Sequence, residues 1–213
     1  MDASLAGQAE AFAHLVQAWE LSDHPHVIAH GNGGLISLRA NLRHGIDYAS
    51  LCLVDVVAVS PFGSPFFKLV AANGDVFNNI PDNLMAGLIR SYIRGAAFKP
   101  LNQGVEDMLT GPWLSSGLQG KAGFIRQMTQ ASQRDVEDVE PSYGKVGKRM
   151  PVKIIWAKED QWIPVDHAER LGRMIGAQEI VIVEEAGHLI HFDQPVRLAV
   201  ELTMWLAKVA GPK

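Results

Sequence analysis

The chain has 213 residues, 47% of them hydrophobic and 20% charged, with a formal net charge of −4. That length fits one domain with an insertion, or two small ones, and is enough to bury a sizeable core. A negative balance with scattered Lys and Arg argues against a nucleic-acid partner, and a single cysteine, Cys52, excludes an intrachain disulfide. No apolar run approaches the ~18 residues of a membrane span, and Met1-Asp2-Ala3-Ser4-Leu5 lacks the pattern of a secretory signal. The expectation is a cytoplasmic protein with a small-molecule ligand, and with neither nucleic acid nor membrane as partner.

Ser4 and Leu5 lead into an amphipathic helix with Leu5, Phe12, Leu15, Val16 and Trp19 on one face. Ser22-Asp23-His24-Pro25 ends it, because Pro25 cannot continue a helix and favours extended geometry at His24. Val27 to His30 reads as a buried strand. From Gly33 a helix runs to Arg43, turning Leu35, Leu38 and Leu42 inward, with Gly45 as its cap. The junction, Ala29-His30-Gly31-Asn32-Gly33-Gly34, has the small-x-nucleophile-x-small-small pattern of a sharp strand-to-helix elbow. Small residues are expected at Ala29, Gly33 and Gly34 because strand and helix approach closely. The position of the attacking residue is Gly31, so the frame of a site is present without the attacking atom.

Ala49 to Val57 is a nearly unbroken β-rich run, as expected of a parallel strand covered on both faces, and it buries Cys52 as an inert thiol. From Ala58 to about Arg149 prolines punctuate short helical pieces. Asn83–Phe98 presents Leu84, Leu88 and Tyr92 on one face, and Leu118–Val139 presents Ile125, Met128, Ser132 and Val136. No strand alternation appears there, which predicts a helical insertion. Strands return at Val152–Trp156 and Ile180–Val183, with a helix at Val165–Ile175 between them. A last helix over Gln194–Val209 aligns Leu198, Leu202, Trp205, Leu206 and Val209. Alternating helices and buried strands make a parallel sheet wrapped on both faces the expected architecture.

Two further stretches carry chemistry. Trp156–Pro164 places an acid just past a strand, with the spacing to Pro164 favouring Asp160 and Glu159 as the fallback. Glu185–Pro195 places His188 just past the next strand. Loops at the carboxyl ends of parallel strands gather along one edge, so position 31, Asp160 and His188 can converge. His30 and His191 read as structural, and Asp55 closes a strand. His14, His24, His26, His44 and His167 have no ligand-like spacing, so no metal is expected, and no cofactor. Trp162, Phe66, Phe67, Trp113 and Met128 are candidate pocket residues, with plain core as the competing reading. A different class is also open: Gly31-x-Gly33-Gly34 followed by Asp55 approaches a dinucleotide fingerprint, although its third glycine falls on Ile36. That reading would make an NAD-binding oxidoreductase.

The three motifs, in the order nucleophile, acid, histidine, resemble those of the α/β-hydrolase superfamily. The nearest group contains haloalkane and fluoroacetate dehalogenases, epoxide hydrolases and proline-iminopeptidase-like esterases, whose elbows read His-Asp-x-Gly-Gly or Gly-x-Ser-x-Gly. The resemblance implies an α/β-hydrolase fold with core segments 1–57 and 150–213 and a helical cap over 58–149. It implies a nucleophile seat at Gly31, His188 as base, Asp160 as its orienting acid, the Asn32 N–H as half of an oxyanion hole, and Trp162 at the substrate. It implies a small, largely apolar ester, epoxide or halide as substrate. Two departures qualify this: Gly31 replaces Asp or Ser, and the strands that usually precede the first helix, with their His-Gly loop, have no counterpart in residues 1–22. The sheet is therefore expected to have an edge at the elbow strand, in a fragment, a shortened product or a form completed by a partner, a homodimer included. With no nucleophile, activity is expected to be weak or lost. A pseudoenzyme, a ligand-binding module, or a His–Asp general-base lyase or cofactor-free oxygenase stand as alternatives.

Overall fold

The computed structural model describes residues 2–21, 24–114 and 118–211. Its sheet has four parallel strands in the order β1 (His26–Gly31), β2 (Ser50–Val56), β3 (Val152–Ala157) and β4 (Glu179–Val183). The elbow strand β1 is an edge strand, and Ile28 on it is 45% exposed. The period of two along β2 divides the core. Leu51 and Leu53 face one layer of helices, and Cys52 and Val54 face the other.

The first layer consists of α1 (Leu5–Ala18), α2 (Asn32–His44), and the later helices α9 (Gly144–Arg149) and α10 (Asp166–Ile175). They enclose Leu5, Val16, Leu35, Leu38, Val146 and Leu171 with the strand residues. Burying each such side chain contributes about 1.5–3 kcal/mol. Ser4 caps α1 by accepting the Gly7 N–H at 3.0 Å, and Gly45 ends α2 in the left-handed region. After the short α11 (Ile190–Asp193), the opposite layer is α12 (Pro195–Ala210), which lays Leu198, Leu202, Trp205, Leu206 and Val209 over Cys52, Val54, Ile155 and Val183. An ion cluster pins it there: Lys153 Nζ, buried on β3, lies 2.8 Å from Glu201 and 3.3 Å from Glu179. Burial pushes the Cys52 thiol up to about 12, which leaves it protonated and inert.

Between β2 and β3 the chain is helical: α3 (Pro65–Ala72), α4 (Gly74–Asn78), α5 (Asp82–Arg94), α6 (Gln103–Leu114), α7 (Leu118–Gln130), α8 (Gln133–Glu137), a 3-10 turn (Glu140–Ser142) and α9. Helices α3, α4, α5 and α7 enclose a separate core of Val70, Phe77, Met85, Ile89, Phe124, Ile125 and Met128. Arg39 on α2 ties α8 to the sheet layer through Asp138 Oδ2 at 3.0 Å and the Asp135 carbonyl at 2.7 Å.

Four local expectations are corrected. Helix α1 buries Leu5, Ala9, Ala13 and Val16, while Leu15 is 40% and Trp19 63% exposed; alanines allow close approach to α2, so the stripe is rotated toward them. Helix α5 buries Met85 and Ile89, one position on from Leu84 and Leu88, both of which are exposed. Leu118–Val139 is two helices, because the Ser132 hydroxyl caps α8 by accepting the Arg134 N–H at 3.2 Å. His24 has φ of 53°, not the extended geometry expected before Pro25. Ser22 and Asp23 lie outside the described residues.

Candidate active site

The elbow is set by two close approaches. Gly31, the last residue of β1, has φ 56° and ψ −126°, a left-handed conformation that glycine adopts without strain. Its carbonyl accepts the Val57 N–H at 2.9 Å, which joins the elbow to the end of β2. A Cβ on Gly34 would lie 2.3 Å from the Val56 Cβ, so α2 leaves the strand with no room for a side chain there. Gly33 differs: a Cβ would sit 3.9 Å from the Ala29 Cβ, an ordinary contact. The expected need for a small residue thus falls on Gly34 rather than Gly33.

Asp160 and His188 come from the loops after β3 and β4. Both are buried. Asp160 Oδ1 accepts the backbone N–H groups of Trp162 at 2.7 Å and Ile163 at 3.0 Å, which turns the carboxylate inward. Its Oδ2 accepts from His188 Nδ1 at 2.8 Å. With Nδ1 as donor, His188 Nε2 carries the free lone pair. That atom faces Gly31: a Cβ built there would lie 3.3 Å from Nε2. Asn32, first in α2, lines the same cavity, and its N–H has no intrahelical acceptor.

The loop carrying His188 is held from behind. His30 Nε2 donates to the His188 carbonyl at 2.8 Å, and the two rings lie 4.7 Å apart. Burial, then the neighbouring His188, lowers the His30 pKa to about 4, so it is a neutral brace. His191 is exposed and edge-on to His30 at 5.3 Å. Asp193, buried, accepts from the N–H groups of Phe98 (2.8 Å), Lys99 (2.8 Å) and Gly187 (2.9 Å), and so sews the His188 loop to the chain after α5. Glu159 instead accepts the Ala186 N–H at 3.1 Å. Asp55 Oδ1 accepts the Ala157 N–H at 2.6 Å. Burial, together with Asp160, pushes the Asp55 carboxyl well above the usual carboxylate range, and its Oδ2 has no partner among the described residues.

Over the dyad lies a cavity of about 210 Å³. Phe67, Trp113, Met128 and Trp162 line it, as does His188; Phe66 instead packs against Phe77 and Tyr92. Sequence reasoning missed Phe62, Tyr92, Phe124 and Gln127 as lining residues. Their only signal was aromatic density in the helical insertion, which core packing also produces. Asp193 was missed as well, although it closes the same motif as His188.

A parallel sheet flanked by helices, a glycine elbow at the end of β1, and a His–Asp pair on the loops after β3 and β4 define the α/β-hydrolase class of protein. Residues 2–202 match the model of the Alpha/beta hydrolase family, and the chain belongs to that family. It is similar to an alpha/beta hydrolase fold protein from Burkholderia ambifaria, with 35% identity and a TM-score of 0.86 over 95% of this chain and 73% of that one. A haloalkane dehalogenase, DbeA, from Bradyrhizobium elkani shares the fold at 12% identity and a TM-score of 0.77, over 99% of this chain and 76% of its own. Among curated relatives, monoacylglycerol lipase ABHD6 of Homo sapiens is 23% identical over 98% of this chain, and the chain spans 62% of that relative's length. Among the described residues no helix is long and apolar enough to cross a membrane.

Proposed function

We propose that the chain binds a small, largely apolar ester in the cavity and hydrolyses it slowly, with water in place of a protein nucleophile. The observation that carries this is the seat at Gly31, where His188 Nε2 faces open space 3.3 Å from the position of a Cβ while Nδ1 is tied to Asp160. Water in that seat gives its proton to Nε2 as its oxygen bonds to the carbonyl carbon. Asp160 stabilises the imidazolium, and the Asn32 N–H receives the developing oxyanion. Collapse breaks the bond to the alkoxide, which takes the proton back from His188 and leaves as the alcohol. The name of the curated relative, a monoacylglycerol lipase, favours the ester over the epoxide or the halide. In this reading residues 1–57 and 150–213 carry the chemistry, and 58–149 form the cap. Two copies pair through the free edge of β1.

Without a nucleophile, a rate about 10³–10⁴ over water is the ceiling, by analogy with triads that have lost a member. Hydrolysis of p-nitrophenyl butyrate should run linearly from the first turnover, with no burst, and His188→Ala should remove it. An unchanged rate in that variant would refute the dyad as base. Styrene oxide and 1-bromobutane, run alongside, test the other two bonds. A second reading, favoured by Gly31 itself, is a ligand-binding module. Saturable binding with no turnover of any of the three substrates would select it.

A further inference from the structure

The cavity contains a donor that ester hydrolysis does not use. The ring of Tyr92, on α5, lies flat on Trp162, with centroids 4.2 Å apart and planes 12° apart, and Trp162 is in turn tilted against His188 at 5.0 Å. The stack runs from the helical insertion down to the dyad and fixes where the Tyr92 hydroxyl stands. Ser64, which caps α3, accepts the Phe67 N–H at 3.2 Å and donates its own hydrogen to Tyr92 Oη at 3.5 Å. Apart from Ser64 the Tyr92 hydroxyl has no side-chain partner among the described residues, so its hydrogen can turn to a guest. Burial pushes this phenol up to about 12, so it remains a donor throughout the neutral range.

The walls around it are aromatic on several sides and at different angles. Trp113 meets Phe124 edge-on at 5.7 Å, and Phe62 is tilted on Phe67 at 5.8 Å. A guest ring would meet both faces and edges there, matching negative faces to positive rims, whereas a saturated ring of equal area gains burial alone. Among the described residues no Lys, Arg, Asp or Glu lines the cavity, so no ion pair awaits a charged guest, and the aromatic faces alone would have to hold a cation. A cavity of about 150 Å³ suffices for benzene, which leaves room for an ester group in the 210 Å³ here.

Resting on the hydrolase reading above, we infer that the ligand is an uncharged aromatic ester, with its ring held among Phe62, Phe67, Trp113 and Phe124 and a ring substituent accepting from the Tyr92 hydroxyl. Trp162 and Tyr92 then set specificity, and His188 and Asp160 the chemistry.

Calorimetric titration of the full chain with methyl benzoate, methyl cyclohexanecarboxylate, methyl 4-acetylbenzoate and phenyltrimethylammonium tests this. Methyl benzoate should bind about fivefold more tightly than its saturated counterpart. Tyr92→Phe should weaken methyl 4-acetylbenzoate about five- to tenfold more than methyl benzoate, with an unchanged melting temperature as the control for folding. Equal binding of the two methyl esters, indifference of the acetyl ester to Tyr92→Phe, or tightest binding of the ammonium ion would each overturn the assignment. Turnover of the same esters is followed in the same samples. Aromatic preference without turnover removes the hydrolytic reading and leaves the pocket assignment standing, and turnover without preference does the reverse.

Discussion

His30 shows how a residue next to the elbow can matter without reacting. It is neutral in the folded chain down to about pH 4, against an ordinary value of 6.5. The unfolded chain takes up that proton below about 6.5, so it binds more protons than the folded one between the two values, and stability rises with pH across that window. The contribution is complete above pH 6.5 and is lost as the pH falls toward 4, by up to about 3 kcal/mol. His30→Gln keeps a donor for the His188 carbonyl and cannot titrate. Urea unfolding at pH 7.5 and pH 5 should show a markedly smaller acid loss in the variant than in the parent chain. His167 and His191, also lowered by partial burial, remain in both chains, and His191 keeps the neighbours His188 and Asp193 that shift it.

At the level of elements, the elbow separates two glycines that look equivalent in sequence. Gly34→Ala forces a Cβ into Val56 and should destabilise by about 1–3 kcal/mol. Gly33→Ala meets only ordinary contact and should be neutral or stabilising by up to ~1 kcal/mol, because alanine suits a helix better than glycine. Thermal denaturation of the pair measures this; equal losses would refute the geometry of the turn. The strands, the elbow and the flanking helices were legible because unbroken β-rich runs such as the one around Cys52, the small residues of the elbow and Gly45 are local signals. The buried stripes of α1 and α5 were not. Which of Leu84 or Met85 faces inward depends on where α6 and α7 stand, and that is a tertiary fact. The positions Gly31, Asp160 and His188 could be named from motif order, whereas the Tyr92 hydroxyl and the knot at Asp193 arise from contacts between residues far apart in the chain.

For the whole molecule, the free edge is the feature with consequences in solution. β1 offers unpaired backbone groups on one side, with Ile28 exposed on its outer face, and such an edge is a template for pairing. Sedimentation velocity from low to high micromolar concentration should show association, and Ile28→Lys should shift it toward monomer by placing a charge on the edge. A monomer at all concentrations would refute the pairing. The helices between β2 and β3 have a different kind of independence, since the core around Phe77, Ile89 and Ile125 shares no buried member with the two that flank the sheet. The insertion's core meets the larger of those two at Phe67, which packs against both, and elsewhere it is filled from the insertion itself. A library confined to buried roof positions such as Phe77, Ile89 and Ile125 would vary the roof while sparing the Tyr92–Trp162 stack and the Asp193 bonds through which the insertion reaches the imidazole and its acid.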